Sequence, residues 1–161
     1  MIKKFLRALE IQDTIAQLPP FVRPLPTNME PDAIQYLHRM QALDLPPVSL
    51  QDSLLRAYVE YVYPSMPLMD LQNFLNTVHY RHGRNGQVSL FLYQSVMFAA
   101  TVFVDMKALC QAGYKTRKEA RGKFFQKARV SLVSSVSSPV PDVEFAWCLP
   151  RYIYPGCSLY N

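Results

Sequence analysis

The residues of this chain best placed to do chemistry are cations. Between Lys115 and Arg129 stand Lys115, Arg117, Lys118, Arg121, Lys123, Lys127 and Arg129, against a single acid, Glu119. The chain as a whole carries a formal net charge of +5, so this stretch holds the entire excess. A segment of that kind can face nucleic acid, an acidic protein surface or water. On a helical wheel Lys118, Lys123, Lys127 and Arg129 fall mainly outside an apolar stripe of Ala120, Phe124, Ala128 and Leu132, whereas Arg121 falls inside it. Lys115, Arg117 and Lys118 crowd the helix start, where the macrodipole disfavours each cation by about a few tenths of a kcal/mol. A solvated helix face explains most of this pattern. The functional alternative is an acidic-partner surface at Lys118, Lys123, Lys127 and Arg129, with direct DNA contact behind it. Phe124 and Phe125 suit a core better than a base-stacking platform.

Other reactive types are sparse. His79 and His82 sit three apart in HYRH, but no Cys, Asp or Glu lies close by to complete a metal site. Cys148 and Cys157 are too far apart for a zinc pair, and Cys110 lies among apolar residues and reads as core. Asp32, Asp52 and Asp70 stand at helix starts, where capping accounts for them. Asp105 follows the apolar run, which suggests a buried or half-buried acid paired with a cation such as Arg121. With five glycines and no phosphate-loop motif, the sequence offers no nucleotide cradle. We expect no catalytic residue, no metal ligand set and no cofactor site, and hence no enzyme.

The elements that must carry these residues are helical. A chain of 161 residues is enough for one domain, and a 50% hydrophobic composition allows a sizeable core. Residues 1–18 read as a short amphipathic helix, with Phe5, Leu6, Leu9 and Ile15 on its apolar side. Residues 19–29 hold proline after proline and read as an extended linker. A helical body is expected over 30–132. Ser49 and Asp52 suggest a capping box, followed by Leu50, Leu54, Tyr58 and Tyr61 at helical spacing. Asp70 is placed to cap the next helix. Asn85-Gly86 marks a turn. The uncharged run from 85 to 104 reads as a core helix, apolar on every side, in preference to a membrane span. Gly113 is placed as a C-terminal cap, and Thr116 to Glu119 forms a T-x-x-E box. The fold class is therefore all-α, an irregular array of five or six helices. Residues 133–161 lose the helical period and read as a divergent, largely irregular tail. Without a secretory signal or span, and with three thiols, the sequence points to an intracellular setting.

Three stretches carry a family likeness: FVRPLPTNMEPDAIQYLHRMQAL, LLRAYVEYVYPSMPLMDLQNFL, and VSLFLYQSVMFAATVFVDMKALCQAGYKTRKEARGKFFQKAR. In this order they resemble the middle, regulatory region of fungal-specific transcription factors, and the cutinase transcription factor group in particular. The likeness runs over roughly residues 19–130. It implies an all-α regulatory domain of a nuclear activator that regulates transcription by RNA polymerase II. It implies protein partners or self-association, no membrane, and no sequence-specific DNA binding by this chain. In the family, zinc belongs to a six-cysteine DNA-reading module, and three cysteines cannot supply it. The resemblance also implies that further helices should follow Arg129. The change of character there suggests a truncated regulatory region with a tail of different origin. A free-standing helical interaction module using the basic helix at 116–132 is the alternative.

Overall fold

The structure is a computed structural model and describes residues 18–26 and 29–135. The amphipathic helix expected over 1–18 lies almost wholly outside the described residues, and the tail expected from 133 onward lies largely outside them. Six α-helices follow one another: α1 Pro31–Arg39, α2 Val48–Ala57, α3 Leu71–Tyr80, α4 Leu90–Ala100, α5 Met106–Gln111 and α6 Arg117–Ser135. Among the described residues there is no strand, only one isolated parallel bridge between Val22 and Val88. The all-α expectation holds.

The core is organised around α4. Every residue from Leu90 to Ala100 is buried except Leu92, and none is charged. A helix apolar on all sides must be wrapped on all sides. Helix α6 covers one flank, with Ala120 and Phe124 fully buried, and α2 covers another. Ser89 caps α4 by accepting the Leu92 N–H at 3.1 Å. Among the described residues no helix is long and apolar enough to cross a membrane.

Several helix ends follow the local rules. Asp70 accepts the Asn73 N–H at 3.1 Å. Thr116 accepts the Glu119 N–H at 3.1 Å, and the Glu119 carboxylate reaches back to the Lys115 N–H at 3.0 Å. Gly113 has a φ of +92°, the left-handed geometry a helix-ending glycine supplies.

Four expectations need correction. Ser49 and Asp52 do not form a capping box. Helix α2 starts after Pro47 with no side-chain cap, and Asp52 instead lies 3.7 Å from Arg81. Asp105 is neither buried nor joined to Arg121. It is exposed and caps α5 through the Lys107 N–H at 3.2 Å. Cys110 is exposed, on the outer side of that short helix. Tyr61 is 48% exposed, because α2 runs on into a π-helical turn, Tyr58–Val62. The wider π winding lags behind the α repeat, so Val62 swings into the core and Tyr61 swings out.

The segment read as a linker is extended, yet it is part of the packed fold. Phe21 is completely buried, edge-on to Tyr93 at 5.3 Å between ring centroids. Its carbonyl accepts the Val88 N–H, and the Arg23 N–H donates to the Val88 carbonyl, each at 2.8 Å. Gly83 fits beneath this strap only because it has no side chain, since a Cβ there would lie 2.5 Å from the Pro20 carbonyl oxygen.

Buried polar groups tie the loop after α1 to α4. The Tyr93 hydroxyl donates to Gln51 Oε1 at 2.7 Å, and Gln51 Nε2 donates to the Pro46 carbonyl. Gln94 Nε2 donates to the Ala42 carbonyl at 3.0 Å. Burial pushes the phenols of Tyr58 and Tyr93 above their ordinary range. An unfolded chain would release those protons from about pH 10 upward, whereas the folded one holds them. The stability these two phenols contribute is therefore complete below about pH 10 and is lost as the pH rises beyond it. Urea midpoints taken on either side of pH 10, with phenolate absorbance followed in parallel, should show that decline. Phenolate absorbance of the folded chain that rises near pH 10 as it does in the unfolded one would mean that both phenols titrate normally.

Candidate functional site

The candidate surface is the basic helix α6, and its cations divide into two groups. The first is spent inside the fold. Arg117 turns back onto the end of α4, where its Nη1 donates to the carbonyls of Thr101, Val102 and Val104 at 2.8, 2.9 and 2.7 Å. Those carbonyls belong to the C-cap residue of the core helix and the turn that follows it, at the negative end of the dipole. The cation that looked misplaced at the start of α6 is thus well placed at the end of α4. Lys127 is half-buried and donates to the Asp44 carbonyl at 2.7 Å, which pins the loop after α1 to α6. Burial lowers its ammonium below the ordinary range, the chief cause of the shift.

Lys123 is engaged less deeply. Its ammonium lies 3.1 Å from Glu119 and 5.4 Å from the centre of the Tyr114 ring. The Lys115 N–H, first, and then the Lys123 ammonium hold the Glu119 carboxyl below its usual range. This exposed pair is one turn of helix in length and contributes little to stability.

The second group faces outward. Lys118 and Arg129 are exposed, and neither is in an ion pair or hydrogen bond among the described residues. Between them on the same face lie Gly122 and Gln126, also exposed. Of the four cations proposed from sequence, the structure leaves Lys118 and Arg129 fully available. It puts Lys123 beside an acid and directs Lys127 inward. Sequence reasoning missed Arg117 as a clamp, because its acceptors are backbone carbonyls that carry no side-chain signature. It also passed over Gly122, a glycine in the interior of a helix, although such a residue is a legible oddity.

Two further surface features lie away from α6. A groove of about 460 Å³ runs between α2 and α3, lined by Val48, Leu55, Leu75 and Val78 with Asp52 and Arg81 among its polar members. His79 lies beside it, and the Tyr80 and His82 rings stack at 5.6 Å. At the far end of α4, Tyr61 and Phe103 stack at 5.4 Å with about half of each ring in water. Among the described residues, no three His, Cys, Asp or Glu side chains converge in a way that could hold a metal ion.

Comparison with known proteins gives this surface a context. No protein-family model and no solved structure matches the chain. Curated relatives do match. Cutinase transcription factor 1 beta of Fusarium vanettenii is 58% identical over 127 residues, which is 79% of this chain. A transcription factor of Fusarium pseudograminearum is 37% identical over 113 residues, and transcription factor cpaR of Aspergillus oryzae is 34% identical over 113 residues, each covering 70% of this chain. The chain spans only 14%, 12% and 19% of the length of these three relatives. The likeness at 58% identity is far too close to reflect helical composition alone, and it bears out the resemblance drawn from the sequence. Over the region it shares with them, this chain belongs to the fungal transcription factors, the family that includes the cutinase transcription factors.

Proposed function

We propose that the chain is a regulatory region of a fungal transcription factor and works by protein–protein contact in the nucleus to regulate transcription by RNA polymerase II. The observation that carries this reading is the 58% identity to cutinase transcription factor 1 beta across 79% of the chain. In this reading the region takes no cofactor, catalyses no reaction and leaves sequence-specific DNA reading to another part of a longer protein. The structure supplies what a contact module requires. It has a buried core helix wrapped by its neighbours, and a 19-residue helix with Lys118 and Arg129 exposed on its outer side.

The direct test tethers the full chain to a reporter promoter through an unrelated DNA-binding domain. Reporter transcription should move away from the level given by that domain alone. An unchanged reporter, with the fusion expressed, nuclear and helical by circular dichroism, would overturn the reading.

A further inference from the structure

The outward face of α6 is built around a gap. Ala120, Phe124, Ala128 and Ser131 turn into the core. Lys118, Gly122, Gln126 and Arg129 follow at four-, four- and three-residue spacing and form one exposed stripe on the opposite side. Gly122 stands at the middle of that stripe. A Cβ placed there would meet nothing within 4 Å among the described residues, and the backbone is not in the left-handed region that favours glycine. Neither internal packing nor conformation therefore requires glycine, although glycine weakens a helix interior. The absence of a side chain matters only to something that approaches from outside.

The charges beside the gap say what that visitor is. Lys118 lies one turn before Gly122 and Arg129 two turns after it, with about 16 Å between the two cations along the axis. The only acid on α6, Glu119, is taken up by Lys123 and the Lys115 N–H. Arg117 and Lys127 are held within the fold. What remains on this stripe is the bare backbone at Gly122 and the neutral Gln126 side chain, set between two cationic posts. Nucleic acid phosphates recur every few ångströms and would call for a continuous row of cations. Two posts about three turns apart, with room for close contact between them, match carboxylates on another helix by charge and by spacing.

We propose that this stripe docks an acidic helix, with Gly122 receiving its backbone and Lys118 and Arg129 pairing with carboxylates eleven positions apart. The inference deepens the regulatory reading and rests on it for the partner being a protein.

The experiment uses the full chain and a labelled helical peptide with glutamates eleven positions apart and alanine at the position facing Gly122, followed by fluorescence anisotropy. The Lys118→Glu, Arg129→Glu double variant should bind the peptide at least about tenfold more weakly, with its circular dichroism unchanged. Gly122→Leu separates docking from stability. It should raise the melting temperature, since leucine is the better helix former, yet weaken peptide binding. Equal affinity in the double variant would overturn the proposal, as would unimpaired binding by Gly122→Leu or tighter binding of a DNA duplex than of the peptide. A reporter that responds to the tethered chain while the peptide fails to bind would remove this inference and leave the regulatory reading standing.

Discussion

Replacing Arg117 with alanine is expected to destabilise the fold by about 3 kcal/mol. The estimate follows from what its guanidinium does. One nitrogen, Nη1, faces three carbonyl oxygens at 2.7 to 2.9 Å, and its two N–H groups must be shared among them. A hydrogen bond from a charged donor contributes about 1.5–3 kcal/mol net, and the site is only partly buried, so two such bonds with some rehydration of the carbonyls give roughly that total. The cation also sits at the negative end of α4, which adds about 0.5 kcal/mol. Arg117→Lys should restore only part of the loss, because an ammonium lacks the planar fork that spans several acceptors. Urea unfolding would show a lower midpoint at an unchanged slope. A loss below about 1 kcal/mol would mean that water satisfies those carbonyls as well as arginine does.

Phe21→Ala should cost still more, about 3–5 kcal/mol. The ring is fully buried, meets Tyr93 edge-on, and lies 6.0 Å beneath the Arg81 guanidinium. Its removal leaves a cavity that the strap, tied to Val88 by two backbone hydrogen bonds, cannot easily collapse into. Pro24→Ala, at an exposed position three residues on, is the control and should change stability by less than about 0.5 kcal/mol. Equal stability of the two variants would show that residues 19–26 contribute only connection, as their proline content suggests at first sight.

How much of this was legible in the sequence depended on the range of the cause. Asp70, Gly113 and the Thr116–Glu119 box obey rules confined to one helical turn, and each sits where those rules put it. The all-round apolar run told of a central helix because burial on every side leaves no other composition. The π-helical turn at Tyr58–Val62 has no residue signature, so the simple α repeat placed Tyr61 in the apolar stripe. Phe21 and Lys127 depend on partners at Val88 and Asp44, far away along the chain, and nothing near either residue announces them. The candidate surface shows the same division. The sequence pattern identified α6 as the charged helix, but only the fold separates the cations that hold it in place from those that remain at its outer face.

The strap at Phe21 also bears on how the protein is made. Synthesis runs from the N-terminus, so Phe21 and Val22 emerge well before Val88 and Tyr93, the residues that will cover them. At ribosomal speeds of roughly 5–20 residues per second, the delay is about 4 to 14 seconds. For that interval a large aromatic ring beside a valine stands in water on a nascent chain, a natural target for a chaperone at the tunnel exit. Slow codons between 23 and 93 would prolong that exposure, and yield in the cell would then respond to synonymous changes that alter no residue.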